Sequence, residues 1–541
     1  MATAITMVPV SLSGKSKPAL LLALLICAPL AAEVRVEPEI ESKTVAYWIR
    51  NEQTGGGLDK GLAQMLAPAI SLTQTAKQMS NSLYLKNEAI WYDDSQRDAK
   101  NLSSFIWNSR LNGFEERLTL ALNAQTAHRV RSSGNNIFSD VITGSENLSR
   151  TSSHGATLGF QNHRASDIQS RLSLTYRRAD SERPDNDDGI TDFTNKSYLG
   201  SVEIGRARRH SAFFWQLNAN YNKTEREFER DFLIKSYSAD FGMPLFGGLA
   251  AVVRGSYEEN DNITGYYDNF RSYGYGLEYQ FGKVSRINVT RNHSVQSGAL
   301  AELEEEKDTY YAVDAFIAPS RRTSLSYRLD RRYFGRSVAI SGQYNLRTVT
   351  ARLSVTDSVQ TLSNLELALE DLGIFVCPDG VVQISECIRP PSNNYQPQPG
   401  ESFQQFFQQN LELNEQLVQR RAAVFNLGYS HSRIKLNLTL SRSDDNYIDT
   451  PQFNETRSIG VSSSWQFARN MQYELTARFY DIDYQENDRS DSNALVETGV
   501  VYDLNDDASV KAMFRRTDRN SSQSFYDFSE NRVWLSYRHR L

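Results

Sequence analysis

The sequence predicts an all-β protein, a transmembrane antiparallel up-and-down β-barrel of about twenty-two strands (about 20–24). Three observations carry that prediction. The 541-residue chain is hydrophilic, with 23% charged residues, yet it holds 27 Tyr and 26 Phe; its mean hydropathy of −0.52 rules out a bundle of membrane helices. Its apolar residues recur with period two. Short turns and long polar loops take turns along the chain, as in barrels with short periplasmic turns and long extracellular loops.

The N-terminus reads as an export signal over residues 1–32. Lys15 and Lys17 precede the apolar run from Ala19 to Ala28, and Ala31 and Ala32 offer small residues for cleavage. The run is too short to span a bilayer as a helix. Ile26 stands where a lipoprotein signal requires a small residue, so Cys27 is not read as a lipidation site. Residues 33–69 are expected to form a periplasmic segment. Within it Leu58, Leu62, Met65 and Leu66 follow Gly55-Gly56-Gly57 at helical spacing and predict a short helix. The segment is too small for a plug domain.

The barrel is expected over residues 70–541. Leu118, Leu120, Leu122 and Ala124 alternate with Thr119, Ala121 and Asn123. The same alternation runs through Leu172–Tyr176, Phe213–Tyr221, Leu436–Leu440 and Tyr473–Phe479. It places apolar side chains on one face of each strand and polar ones on the other. A soluble sandwich alternates too, but has no reason to segregate loop length by parity. Asn112-Gly113, Phe246-Gly247-Gly248 and Gly282-Lys283 are short turns, whereas 131–147, 180–192, 258–269, 295–308 and 443–457 are longer and polar. The last strand runs Val533, Leu535, Tyr537, His539, Leu541 on one face; assembly signals usually end in an aromatic residue, and Leu541 departs from that. An even strand number would leave both termini in the periplasm of a Gram-negative bacterium.

The longest loop, about 360–421, holds Cys377 and Cys387, then Pro390-Pro391, then Phe403, Phe406, Phe407 and Leu411 at helical spacing. Export and an even pair of cysteines favour a Cys377–Cys387 disulfide over two free thiols; it would stabilise the loop by about 2–3 kcal/mol.

In the strand Leu353-Ser-Val-Thr-Asp-Ser-Val-Gln-Thr361, the loop after it, and the re-entry through Asn414-Glu415-Gln416-Leu417 into Ala422–Tyr429, the sequence resembles a family of uncharacterised outer-membrane β-barrel proteins. These occur in bacteria with the PEP-CTERM/exosortase system and its exopolysaccharide loci. The resemblance covers most of the barrel. It implies a link with envelope or extracellular polysaccharide and supplies no catalytic residue.

The polar face carries the functional expectation. Arg117, Arg171, Arg254, Arg286, Arg328, Arg352, Lys435, Arg478 and Lys511 lie on strands leaving short turns, and Glu203, Glu278, Asp314 and Glu497 lie on the others. A charge at mid-membrane facing lipid costs about 2–4 kcal/mol, so these residues are expected to line the lumen. Two readings of that lining stay open: a basic ring attracting anions, or cross-strand ion pairs that stiffen the wall. The expected function is a porin-like channel for anionic solute or polysaccharide, with a non-conducting scaffold barrel as the alternative. A rim hydrolase ranks lower, because none of the seven histidines sits in a catalytic or metal-binding motif. Asp185-Asn186-Asp187-Asp188-Gly189 lacks the further ligands of a calcium loop. No cofactor and no metal are expected. Expected partners are outer-membrane lipid and lipopolysaccharide, the barrel-assembly machinery, and exopolysaccharide or its export components. A net charge of −6 does not favour nucleic acid.

Overall fold

A computed structural model describes residues 33–52, 55–94, 97–115, 117–130, 141–143, 148–162, 167–182, 192–206, 213–228, 230–261, 268–282, 284–297, 306–320, 322–361, 374–378, 401–405, 417–448, 450 and 452–541. The export signal, the acidic 185–189 turn and Cys387 lie outside the described residues, so the proposed disulfide lies outside them too.

In chain order the strands are β1 (Glu33–Asn51), β2 (Leu58–Ala76), β3 (Met79–Tyr92), β4 (Lys100–Gly113), β5 (Leu118–Val130), β6 (Leu148–Gln161), β7 (Ile168–Ser181), β8 (Phe193–Arg206) and β9 (Phe214–Arg226). They continue as β10 (Phe232–Pro244), β11 (Leu249–Asp261), β12 (Asn269–Phe281), β13 (Ser285–Ser297), β14 (Glu306–Ser320), β15 (Thr323–Arg332), β16 (Gly335–Asn345) and β17 (Val349–Thr361). A short pair, β18 (Ile374–Pro378) and β19 (Glu401–Gln405), precedes β20 (Leu417–His431), β21 (Ile434–Tyr447), β22 (Phe453–Ala468), β23 (Met471–Tyr484), β24 (Arg489–Asp503), β25 (Ala508–Ser521) and β26 (Phe528–Arg540). No α-helix occurs among the described residues.

Each barrel strand pairs antiparallel with its neighbours in sequence, β17 pairs with β20, and β26 returns to β1, which closes a ring of 24 strands. The seam runs from Glu39↔Arg540 to Asn51↔Phe528, and the Leu541 N–H donates to the Pro38 carbonyl at 2.9 Å. Closure leaves no open edge in the ring, which a membrane-spanning sheet requires.

The N-terminal segment corrects the sequence reading. Residues 33–69 are not a periplasmic tail with a helix: β1 pairs with β2 along its whole length, and both belong to the barrel. The physical reason is an ambiguity of spacing. Of the expected helix residues, Leu58, Leu62 and Leu66 recur every four residues, which suits one face of a helix and also one face of a strand, and all three are exposed on the outer face with Ile70, whereas Met65 is buried on the inner face. Pro68 interrupts the β2–β3 ladder between Leu66↔Ala89 and Ala69↔Lys86, consistent with its missing N–H. The ring therefore holds 24 strands, within the expected range of about 20–24, and it begins at β1, before the expected start at residue 70. Residues 401–405 likewise pair as β19 with β18, instead of starting a helix.

The connections fall on two rims. The turn rim carries short turns such as 77–78, 432–433 and 469–470. The loop rim carries most of the longer connections, but β15 and β16 are joined there by Tyr333-Phe334 alone. Gly335, at φ 104°, allows that tight reversal.

Outward faces hold the exposed apolar residues, for instance Tyr273, Tyr275, Leu277 and Tyr279 on β12 and Val533, Leu535 and Tyr537 on β26. Exposed Phe241, Phe246, Tyr279, Tyr344, Tyr429, Trp465, Tyr502 and Tyr537 form an aromatic girdle at the turn rim.

Candidate functional site

Register identifies the inner face. Cross-strand partners share a face, so one row can be traced through Glu203, Asn218, Ser238, Ser256, Ser272, Ser294 and Asp308 across β8 to β14. Side chains on this face also touch across non-neighbouring strands. Arg254 on β11 reaches Asp330 on β15 at 2.8 Å, and Arg332 on β15 reaches Glu258 on β11 at 2.7 Å. Such contacts require the concave side of a closed ring, so this polar face is the lumen.

The ladders put all thirteen charged positions singled out from the sequence on that face or at its edge. Arg171 pairs with Glu203 at 2.7 Å. Arg254 lies between Asp240 at 3.5 Å and Asp330. Arg286 and Arg328 flank Asp314 at 4.0 and 3.1 Å. Lys511 meets Glu474 at 2.7 Å, and Glu497 binds Arg515 at 2.6 Å. Arg117 sits in a turn against Glu115 at 3.2 Å. Glu278 is buried opposite Ala250 and Asn288. Charge on the β7–β15 side is therefore largely balanced by pairs.

The β17–β23 side differs. One row there runs Arg352, Asn426, Thr439, Gly460, Arg478 and then Leu495, with no acidic residue in it. Lys435 lies nearer the turn rim, opposite Ser430 and Ser464. Inward Asn437, Ser441, Ser458 and Ser462 complete a wall of hydroxyl and amide groups. Arg420 and Asp445, nearer the loop rim, form a buried pair at 3.0 Å.

Two inward-packed assemblies lie toward the loop rim, on opposite sides of the lumen. The first covers the seam. Val45, Tyr47, Ile49, Ala63, Met65, Ile90, Leu102, Met513 and Trp534 make an apolar inner wall, and Ile142 from the β5–β6 connection packs into it. The backbone there is held by polar contacts: Tyr92 donates to the Ile142 carbonyl at 2.7 Å, Arg532 to Thr143 Oγ1 at 2.6 Å and Arg97 to the Thr143 carbonyl at 3.3 Å. Arg97 also binds Asp59 at 2.5 Å. Burial works against its charge, but the hydrogen bond it donates to Asp59 and the facing tyrosines hold the guanidinium above its ordinary value. Gly61 lies opposite Tyr47 because a Cβ there would stand 2.5 Å from the Tyr47 hydroxyl.

The second assembly is the β15–β16 hairpin tip. Buried Tyr333 and Phe334 pack with Phe232, Phe270, Val359 and Leu417. Glu258 accepts from Arg332 at 2.7 Å and from the Tyr333 N–H at 3.4 Å, and Tyr310 donates to Asp330 at 3.1 Å. A ring of 24 strands, spaced about 4.8 Å apart and tilted about 40°, is about 48 Å across its backbone. Strands four steps apart in such a circle stand about 24 Å apart. An Arg–Glu contact spans about 13 Å between Cα atoms at most. The tip therefore leans into the lumen, and it narrows the channel from one side. None of these cross-lumen contacts has a local motif. The only sequence signal was the missing loop between β15 and β16.

With the geometry in view, comparisons with known proteins give one family match and several distant architectural likenesses. Residues 455–541, from within β22 to the end, match the family described as "Putative beta-barrel porin 2". No curated protein matches the sequence. The siderophore receptor PirA from Acinetobacter baumannii is similar at 9% identity, over 94% of this chain and 81% of that one, with a TM-score of 0.43. PirA from Pseudomonas aeruginosa shares 10% identity over 93% and 80% of the chains, with a TM-score of 0.37. The FrpB iron transporter from Neisseria meningitidis shares 8% over 93% and 81%, with a TM-score of 0.40. Likeness at this level carries no residue correspondence. The closed ring with its apolar exterior and polar interior defines an outer-membrane β-barrel, and its C-terminal end is similar to a family of β-barrel porins.

Proposed function

We propose that the protein is a wide channel for hydrophilic, acid-bearing solute, with anionic polysaccharide as the fitting polymer class. The carrying observation is the acid-free inner row from Arg352 to Arg478, set among hydroxyl and amide side chains. Hydroxyls and amides exchange hydrogen bonds with a sugar chain as water does, and cations in a confined pore draw anions. The pairs on the β7–β15 side restrict this preference to one wall, so the channel is weakly anion-selective instead of strongly so. The loop rim, where β17 ends and β20 begins, faces outward in this reading. No covalent chemistry is required.

The test is conductance in planar bilayers. Wild-type protein is expected to give large steps with a reversal potential favouring anions in a salt gradient. R352Q/R478Q should move that potential toward cations without loss of conductance. A closed scaffold is the second reading, favoured by the two inward-packed assemblies; absence of conductance even after removal of residues 365–415 would establish it over the channel.

A further inference from the structure

The outer face of β11–β14 carries a graded surface that nothing about the lumen requires. Nearest the loop rim, one outward row reads Tyr257, Arg271, Val295, Lys307. The next reads Gly255, Tyr273, His293, Thr309, and the third Val253, Tyr275, Arg291, Tyr311. Below these come Ala251, Leu277, Val289, Val313 and then Leu249, Tyr279, Ile287, Ala315, both apolar apart from the Tyr279 hydroxyl. The upper three rows thus hold three cations and a histidine and no acidic residue. Tyr273, Tyr275 and Tyr311 are exposed at 65%, 61% and 64%. Arg271 lies over the Tyr257 ring at 5.5 Å, and His293 is held by Thr309 Oγ1 at 3.0 Å against Tyr273.

Three of the nearby acids are engaged elsewhere. Glu259 binds Lys235 at 2.9 Å, and Asp308 and Glu306 bind Arg331. An exposed arginine directly above an apolar band, between two exposed tyrosines, stands where a bilayer changes from acyl chain to headgroup.

We infer that this patch binds the phosphate-bearing headgroup of a lipid in the leaflet at the loop rim. Arg271, Arg291 and Lys307 would hold phosphate, and Tyr273, Tyr275 and Tyr311 would cover the sugar or glycerol and the upper acyl chains. The inference is independent of what crosses the lumen.

The test is native mass spectrometry of the detergent-solubilised full chain titrated with diphosphorylated lipid A. Wild-type protein is expected to retain the lipid. At about 1 kcal/mol per basic side chain, R291Q should weaken retention about fivefold and R271Q/R291Q/K307Q on the order of a hundredfold. Dephosphorylated lipid A should bind as weakly as the triple variant binds the native lipid. R516Q, which removes an outward arginine already paired with Asp518 at 2.6 Å, should retain it fully. Heat-modifiable electrophoretic mobility reports that each barrel is folded, and R291Q alone serves if the triple variant does not fold. Equal retention by wild type and the folded variants would overturn the inference. So would displacement by inorganic phosphate at concentrations comparable to the lipid, which marks a free-anion site.

Discussion

The lean of the β15–β16 tip into the lumen rests on the pair between Glu258 and Arg332, and E258Q removes its charge with little change of shape. Glu258 is the carboxylate for both the Arg332 guanidinium at 2.7 Å and the Tyr333 N–H at 3.4 Å. Its side chain is 10% exposed and that of Arg332 is 32% exposed, so the pair lies between a surface bridge and a buried one. Surface pairs contribute about 0–1 kcal/mol, and breaking a fully buried pair costs about 3–5 kcal/mol. An intermediate loss of about 2 kcal/mol follows for E258Q. R332M should cost a similar amount. The double variant should cost clearly less than the sum, because neither charge is then left without its partner. The assay is guanidinium unfolding in lipid vesicles followed by tryptophan fluorescence, run as a double-mutant cycle. Spin labels placed on β11 and at the tip would report the distance, which should lengthen in E258Q. A cycle coupling below about 0.3 kcal/mol, together with an unchanged label distance, would refute the clamp.

Ile142 is 1% exposed in the seam wall, so I142A should destabilise by about 2–4 kcal/mol; limited proteolysis should then cut the 131–147 segment faster than in wild type. Removing residues 33–51 deletes β1 and its ladders to β2 and β26; the shortened chain should lose heat-modifiable mobility, whereas a dispensable periplasmic segment would leave it unchanged. G61V should fail to close the seam, since its side chain would occupy the space of the Tyr47 ring; loss of folded yield, relieved by adding Y47A, checks this. The reversal-potential shift of R352Q/R478Q completes the set and reads the lumen directly.

Local pattern made most of the wall legible. Period two in segments such as Leu118–Ala124 and Tyr473–Phe479 assigns each side chain to a face, because a strand's side chains alternate whatever it packs against. Loop-length parity then separates a barrel from a sandwich. The same logic placed Arg352, Arg478 and Glu497 on the polar face from sequence. Pattern failed where two periods coincide: residues spaced by four, as in Leu58 to Ile70, satisfy a strand and a helix equally, and only the paired neighbours β1 and β3 decide between them.

The sheet, its two faces and the alternation of turns and loops are thus written along the chain, because all of them depend on neighbours a few residues apart. Three features arise only from the folded ring: closure of β26 on β1, the carboxylates that the paired lumen cations meet, and the leaning of Tyr333-Phe334 and Ile142 into the channel. Those contacts join residues as distant as Glu258 and Arg332, or Thr143 and Arg532. Their partners are brought together by the curvature of a closed ring. No spacing along the chain encodes that curvature.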